Sequence, residues 1–211
     1  MNLINKKKII ERALEIFVVN GIAESSMKQI AEANNYDRRT LYRYFGSKEE
    51  IVLEVIINVL KEWNEFQSTT FNSLKGTGIQ KFKDFYSILL RNDDKDNLIN
   101  LITGFDTIFS LDDFAEKENH IKFVDAYYEE AMFPVELLKQ ILKEGIDDGT
   151  IVDIDIDETA QVIHNVIWGV VQKGASSSKS INDKLKIDFR TITYKQLDMY
   201  VDLLGGKRCL S

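Results

Sequence analysis

Apolar residues recur at intervals of three and four along nearly the whole chain. Residues 6–20 contain two neighbouring rows of this kind, Ile9, Ala13 and Phe17 beside Ile10, Leu14 and Val18. Because side chains four apart share a helix face, this pattern predicts an amphipathic helix that ends at Gly21. The same spacing predicts further helices over 47–72, 79–91 and 97–110, within 111–131, and over 134–147, 157–175 and 190–204. No segment alternates as a strand does, so we expect an all-α protein.

Breaks between these helices are predicted from their turn residues. Charged or polar turns are expected at 92–96 and 176–188, the second as a mobile loop. Pro134 suits the first position of a helix, so Phe133-Pro134 is predicted to interrupt the chain there. Gly104 lies inside its helix and would weaken it by about 1 kcal/mol relative to alanine. Its small size is expected to let another helix, or a ligand, approach closely.

Two short helices, a tight turn and the start of a third helix are predicted in the segment SMKQIAEANNYDRRTLYRYFGSKEE, which begins at Ser26. Ser26 is a preferred N-cap, and Gln29 three residues later completes a capping box. Asn34 and Asn35 tolerate left-handed backbone and therefore suit the turn. Asp37 is predicted to cap the second helix.

The second of these helices has one apolar and one basic face. Leu41 and Phe45 are four apart and share the apolar face. The other face carries mainly Arg38, Arg39, Tyr42 and Arg43. A short helix that exposes three arginines and a tyrosine needs an anionic partner. Helix-turn-helix geometry provides one, because the second helix lies in the major groove of DNA.

The flanks of this helix also fit a DNA-binding segment. Gly46 is predicted to end the helix as a C′ glycine, and Ser47 with Glu50 forms a second capping box that opens the next helix. Helix N-termini carry unpaired N–H groups and a positive dipole end, which suit phosphates. Lys28 and Lys48 lie in the first turns of the two helices concerned.

Composition and charge agree with this interpretation. The 211 residues are 44% hydrophobic and 29% charged, and the single cysteine, Cys209, fits a reducing cytoplasm. The net charge of −7 is unevenly distributed, because residues 1–50 carry nine Lys and Arg against seven Asp and Glu, a net charge of +2. The remaining residues carry −9. No apolar run has the length of a signal peptide core or a membrane span, so we expect a cytoplasmic protein.

The segment resembles the DNA-binding domain of TetR-family (tetracycline-repressor-like) transcriptional regulators. The matching residues are Ala13, Phe17, Gly21, Ile30, Ala31, then Leu41-Tyr42-Arg43-Tyr44-Phe45 and Ser47-Lys48-Glu49-Glu50-Ile51. The close resemblance covers about the first quarter of the chain. Two positions depart from it: Asp37 stands where the family usually has Ser or Thr, and Arg39 where it often has Gly. We therefore expect this chain to share the family's mode of DNA binding, but the resemblance does not indicate its operator sequence.

The resemblance implies an N-terminal three-helix DNA-binding domain over 1–50 and a helical effector-binding and dimerisation domain over 51–211. It also implies a ligand-responsive regulator, in most cases a repressor, whose dimer leaves a palindromic operator when a small-molecule effector binds. From the residues and this binding mode together, the DNA-binding candidates are Ser26, Lys28, Arg38, Arg39, Thr40, Tyr42, Arg43, Tyr44 and Lys48. For any one arginine, a solvated side chain is the alternative.

Aromatic residues between Trp63 and Trp168 indicate an effector pocket. At helical spacing such residues usually form core, but together they suggest an apolar cavity between helices. The candidates are Trp63, Phe66, Phe85, Tyr86, Phe105, Asp106, Phe109, Tyr127, His164 and Trp168. Asp106 would be either a counter-charge for a cationic ligand or a solvated carboxylate. His164 is interpreted as a core or pocket residue rather than a metal ligand, and we expect no metal and no cofactor.

The predicted helix at 157–175 has more apolar surface than one neighbouring helix can cover. Two such helices from each of two chains would form a four-helix interface, with burial inside the monomer as the alternative. The predicted dimer residues are Val162, Val166, Val170, Leu197, Val201 and Leu204. A symmetric dimer would place two reading helices one DNA turn apart, about 34–36 Å.

Two other functional classes compete with a DNA-binding regulator. An enzyme is disfavoured, because two histidines, one cysteine and no glycine-rich phosphate loop leave little for catalysis. An all-helical adaptor that binds protein through its arginine helix is the second alternative. A steep salt dependence of binding to duplex DNA would distinguish the regulator from both.

Overall fold

The computed structural model describes residues 3–91, 96–108, 121–176, 184, 186 and 188–206. These ranges contain α-helices and turns but no strand, which confirms the all-α prediction. The helices are α1 (Leu3–Asn20), α2 (Met27–Ala33), α3 (Arg38–Tyr42), α4 (Lys48–Ser73), α5 (Gly78–Leu90), α6 (Asp96–Ile108), α7 (Ile121–Asp147), α8 (Ile156–Ser176) and α9 (Phe189–Leu204). The turn predicted at 92–96 and the loop predicted at 176–188 lie almost entirely outside the described residues.

The predicted interruption at Phe133-Pro134 is wrong, because α7 continues through Pro134 without a break. A proline inside a helix removes one N–H donor and typically costs about 3 kcal/mol. Apolar side chains are buried on both sides of it: Val124 and Tyr127 before it, and Val135 and Leu138 after it. Their burial favours the helical conformation over the whole segment, so packing outweighs the local propensity.

The described residues form two compact units, of which the first comprises residues 1–62 and 97–131. Its core contains the predicted row Ile9, Ala13 and Phe17 of α1, together with Ile30 of α2 and Leu41 of α3. Helices α1 and α2 pack together, as do α2 and α3. The first unit therefore holds the predicted helix-turn-helix.

The second unit comprises residues 63–96 and 132–211. Its core is formed by side chains from α5, α7, α8 and α9, including Phe82, Leu138, Ile163 and Leu197. Helix α9 packs against both α5 and α8. None of the helices in the described ranges has the length and hydropathy required to cross a membrane. The division into domains at residues 50 and 51 stays a prediction.

Glycines allow α5 and α7 to approach closely within the second unit. A Cβ atom built on Gly78 would overlap the backbone of Gly145, and one built on Gly145 would overlap the side chain of Ile151. The N–H of Gly78 donates to Asp148 Oδ2 at 2.7 Å, so the residues after α7 cap the beginning of α5. The close approach expected at Gly104 is not found, since no described residue would lie within 4 Å of a Cβ there.

Candidate nucleic-acid interface

The capping box predicted at the start of α2 is present. Ser26 Oγ accepts from the N–H of Gln29 at 3.3 Å, and Gln29 Oε1 accepts from the N–H of Ser26 at 2.8 Å. At the other end, Asn35 adopts left-handed backbone with φ of 56°. The N–H of Tyr36 then donates to the carbonyl of Ala31 at 2.9 Å, as in a Schellman motif. Both ends of α2 are thus fixed by residues inside the predicted segment.

Asp37 caps α3 as predicted, since its Oδ1 accepts from the N–H of Thr40. This hydrogen bond lowers the pKa of Asp37 below its ordinary value, and the nearby charge of Arg39 acts in the same direction. The carboxylate therefore stays ionised and bound to the start of α3. Thr40, which was predicted to contact DNA, is half-buried and donates its N–H to this cap.

Helix α3 divides into the two predicted faces. Leu41 and Phe45 are buried, and all four basic and aromatic candidates are exposed: Arg38, Arg39, Tyr42 and Arg43. The aromatic ring among them is 42% exposed, although tyrosine is a residue that folded proteins usually cover more fully. One face of α3 is therefore anchored in the core, and the other presents cations and a phenol to the surroundings.

Arg38 and Tyr42 form a contact along this helix. The guanidinium carbon of Arg38 lies 5.5 Å from the centre of the Tyr42 ring, and its Nη2 donates to the Tyr42 hydroxyl at 3.3 Å. A cation over an aromatic face gains roughly 0.5–1 kcal/mol at an exposed site. The two side chains consequently hold each other in place, and both remain exposed.

The segment after α3 differs in detail from the prediction. Regular helix ends at Tyr42, and the amides of Tyr44 and Phe45 donate to the carbonyl of Leu41. Gly46 is not among the glycines with positive φ, so it does not act as a left-handed C′ residue. Its N–H instead donates to Glu50 Oε2 at 2.7 Å. The tight turn satisfies the carbonyl groups locally and makes a left-handed glycine unnecessary.

The serine half of the second capping box is present. Ser47 Oγ accepts from the N–H of Glu50 at 3.3 Å, as predicted for the start of α4. The Glu50 carboxylate also accepts from the N–H of Gly46. The glutamate therefore ties the turn before α4 to the first turn of that helix.

Lys48 makes contacts that the sequence did not indicate. Its Nζ donates to the carbonyl oxygens of Ile22 and Ser25, each at 3.0 Å. Both acceptors belong to the connection between α1 and α2. Lys48 therefore joins the start of α4 to this connection, and an ammonium has one further proton with which to contact a phosphate.

Tyr44 is half-buried and acts as a bridge within the first unit. Its ring stacks on that of Tyr36, with centroids 6.0 Å apart and planes 15° apart. Its hydroxyl accepts from Asn5 Nδ2 at 3.2 Å. The hydroxyl is thus engaged within the chain, which leaves Tyr44 a weaker phosphate candidate than the exposed residues of α3.

The other predicted phosphate contacts lie at the surface. Ser26 and Lys28 are exposed, and Lys28 Nζ is 3.7 Å from the carboxylate of Glu32. Another lysine of the first unit, Lys6, forms an ion pair with Glu54 and lies 5.1 Å from the centre of the Phe45 ring. Its charge therefore supports the packing of α1 on α4.

The effector candidates are divided between the two units. In the first unit, Phe105 and Tyr127 are buried with ring centroids 5.3 Å apart, and the Tyr127 hydroxyl donates to Asp106 Oδ1 at 3.1 Å. Burial, and then the negative charge of Asp106, raise the pKa of Tyr127. Phe109 lies outside the described residues.

In the second unit the candidates occupy different environments. Trp63 and Phe66 are half-buried, with ring centroids 5.4 Å apart. Phe85 and Tyr86, in contrast, lie in the core. Trp168 is also half-buried. His164, the remaining candidate, has its pKa lowered because burial disfavours the charged ring. Phe85 and Tyr86 therefore meet the default expectation for aromatics at helical spacing, which is core packing.

The predicted dimer residues also divide into two groups. Leu197 and Leu204 are buried in the core of the second unit, so they are not available at its surface. Val170 and Val201 are half-buried. Val162 is 52% exposed and Val166 is 40% exposed. On α9 the exposed large apolar residues are Ile192, Met199 and Leu203, none of which was among the predicted dimer residues.

Comparison with known proteins agrees with this architecture. Residues 9–55, which run from α1 into α4, match the family described as bacterial regulatory proteins, tetR family. The HTH-type transcriptional regulator QacR of Staphylococcus aureus is 26% identical over 190 residues, covering 89% of this chain and 93% of QacR.

Solved structures show the same fold over nearly the whole length. A transcriptional regulator from Cytophaga hutchinsonii matches with a TM-score of 0.69 and 18% identity, covering 94% of this chain and 97% of that one. FadR of Bacillus subtilis, solved in complex with stearoyl-CoA, matches with a TM-score of 0.60 and 20% identity. The match covers 96% of this chain and 99% of the FadR chain. The matched family segment contains the capped helices and the arginine face of α3. Residues 9–55 therefore form a helix-turn-helix segment of the tetR family of bacterial regulatory proteins, and the chain is similar to a transcriptional regulator, QacR, over most of its length.

Proposed function

We propose that the protein is a dimeric repressor that binds a palindromic operator through α3 and leaves it when a small-molecule effector binds. The observation that carries the DNA-binding part is the exposed face formed by Arg38, Arg39, Tyr42 and Arg43 on a helix whose opposite face is buried. Arginine pairs bidentately with guanine in the major groove and also neutralises phosphates. A protein that acts on chromosomal DNA would work in the cytoplasm.

The dimer proposal rests on exposed apolar residues of α8 and α9. Val162 and Val166 are four apart on α8, and Met199 and Leu203 are four apart on α9, so each pair shares a helix face. The two helices pack against each other. We propose that these four residues form the centre of a symmetric interface, with Val170 and Val201 at its edge. Leu197 and Leu204 would support it from the core.

The effector proposal rests on the aromatic residues and on one carboxylate. Phe105 and Tyr127 are buried beside the exposed Asp106, whose negative charge would favour a hydrophobic cation. FadR, a relative in fold, was solved with stearoyl-CoA, so a long apolar ligand is a second class to test. Titration of the purified protein with ligands of both classes, followed by the fluorescence of Trp63 and Trp168, would distinguish them.

Selection from a random pool of duplex DNA tests the proposal directly. We expect an enriched palindrome whose half-sites are about 34–36 Å apart, since a two-fold dimer presents two copies of α3. Affinity should fall steeply with salt, because phosphate contacts release counterions. Arg43→Ala and Tyr42→Ala should bind this operator more weakly, with unchanged helical content.

Arg91→Ala is the matched control, because Arg91 is an exposed arginine at the end of α5 in the second unit. It should bind the operator like the original protein. Equal binding by the Arg43 and Tyr42 variants would contradict the assignment of α3. The adaptor alternative would gain support only if the pool showed no enrichment and binding were weak and insensitive to salt.

A further inference from the structure

The exposed side chains of α3 and of Arg43, the αR residue that follows it, do not all point in the same direction. Successive residues of an α-helix are rotated by about 100°, since 3.6 residues complete a turn. With Leu41 taken as the buried reference, Arg39 and Arg43 lie about 160° away on either side of it. Arg38 and Tyr42 lie only about 60° and 100° away, on one flank of the helix. The two flank residues and the two opposite residues therefore form separate groups.

The contacts within α3 follow the same division. Arg38 is stacked on Tyr42 and bonded to its hydroxyl, so the flank is held together before any ligand binds. The backbone N–H groups of Arg39 and Arg43 bond Asp37 and the carbonyl of Thr40. Within the described part of the chain, the guanidinium of Arg39 acts on Asp37 through its charge, and neither guanidinium has a side-chain hydrogen bond or ion pair. Both guanidinium groups are exposed. They retain all their donors for a ligand.

We infer that Arg39 and Arg43 read two guanines in each half-site, whereas Arg38 and Tyr42 contact the sugar-phosphate backbone. The inference rests on the proposed function, namely that α3 lies in the major groove. A helix anchored by Leu41 and Phe45 presents the opposite side most deeply to the groove, and Arg39 and Arg43 lie on that side. The flank beside them faces the groove wall, where the phosphates lie.

The spacing of the two arginines sets the expected spacing of the guanines. Residues four apart on a helix are about 6 Å apart along its axis, at 1.5 Å per residue. Neighbouring base pairs are stacked about 3.4 Å apart. A helix lying along the groove would therefore place Arg39 and Arg43 at guanines about two base pairs apart. Asp37, fixed in its cap, keeps the start of α3 in this register.

Charge-conserving variants test the inference on the purified, full-length protein. Arg39→Lys and Arg43→Lys keep the positive charge but lose the planar fork that bonds both guanine acceptors. In pool selection, each variant should lose preference for guanine at one position per half-site by about 5- to 150-fold. Arg38→Ala should weaken binding to all sequences alike and reduce the salt slope by about one. Arg91→Lys is the control and should change neither quantity.

A base analogue provides the second measurement. Replacing one of the two guanines by 7-deazaguanine removes the N7 acceptor, which should weaken binding of the original protein. It should have little further effect on the variant whose lysine faces that position. Unchanged preferences in Arg39→Lys and Arg43→Lys, or a position-specific change in Arg38→Ala, would overturn the inference and leave the operator and its salt dependence intact. Absence of any enriched sequence for the original protein would instead contradict the proposed function.

Discussion

The ammonium of Lys48 lies 3.0 Å from the carbonyl oxygen of Ser25, a residue buried between α1 and α2. The same ammonium bonds the carbonyl of Ile22. Both carbonyls follow α1, and that of Ser25 immediately precedes the cap of α2. One side chain at the start of α4 therefore braces the connection between α1 and α2, a structural contribution that a phosphate contact alone would not require.

Replacing Lys48 by methionine removes both hydrogen bonds and keeps a side chain of similar length. Because two partly covered carbonyls lose a charged donor, we expect the free energy of unfolding to fall by about 1–3 kcal/mol. Urea denaturation measures it. Lys28→Met is the control, since Lys28 is exposed and its ion pair with Glu32 is worth only a few tenths of a kcal/mol. Equal losses in both variants would refute the bracing of the loop by Lys48.

Ser26→Ala removes the acceptor at the start of α2. We expect the free energy of unfolding to fall by about 1 kcal/mol, because the N–H of Gln29 loses its partner. Operator affinity should fall as well, since α2 supports α3. Ser26→Asn retains a capping oxygen and should restore most of the stability. If alanine and asparagine behave alike in thermal denaturation, the cap contributes nothing measurable.

Local interactions explain what could be predicted from the sequence. The cap at Ser26, the left-handed turn at Asn35 and the cap at Asp37 each depend on residues no more than five positions away. The two faces of α3 followed from spacing alone. Contacts between distant residues gave no comparable pattern. Lys48 and Ser25 are 23 positions apart, and nothing in the composition of either segment indicates that they meet.

Tertiary packing explains the remaining differences. Pro134 favours a helix start locally, but buried residues on both sides maintain a continuous α7. For α9, periodicity defines two faces without revealing which one a neighbouring helix covers. Leu197 faces the core and Met199 faces outward, although both are apolar. The sequence could therefore indicate that α9 contributes to an interface, but not which of its two faces does so.

Glycine substitutions test the close packing of α5 on α7. Gly78→Ala would force a Cβ atom into the backbone of Gly145, which cannot move like a flexible side chain. We expect a loss of about 1–3 kcal/mol in the free energy of unfolding, typical of overpacking. Gly104→Ala, in contrast, meets no described atom within 4 Å and should stabilise α6 by about 1 kcal/mol. The denaturation midpoints of the two variants should therefore shift in opposite directions. A shift in the same direction would contradict the close packing of α5 on α7.

A charge in the exposed stripe of α8 tests the proposed dimer. Val166→Asp should shift the protein to monomer in sedimentation at micromolar concentration, because two buried carboxylates would face each other across a two-fold axis. Val19→Asp is the control, being an 80% exposed valine in the first unit, and should leave the dimer unchanged. Leu197→Ala should instead lower the stability of the chain by about 2–5 kcal/mol, as expected for a core leucine. A Val166→Asp protein that stays dimeric would exclude this face as the interface.

Protonation of His164 is expected to destabilise the fold. Burial lowers its pKa below the ordinary value of 6.5, so the folded state resists a proton that the unfolded state accepts. The stabilisation is complete above the unfolded pKa and is lost as the pH falls from about 6.5 toward the lower folded pKa. His164→Gln has no titrating group and should lose less stability than the original protein between pH 7.5 and 5.5. Urea midpoints at the two pH values measure this difference, and parallel losses in both proteins would show that His164 titrates normally.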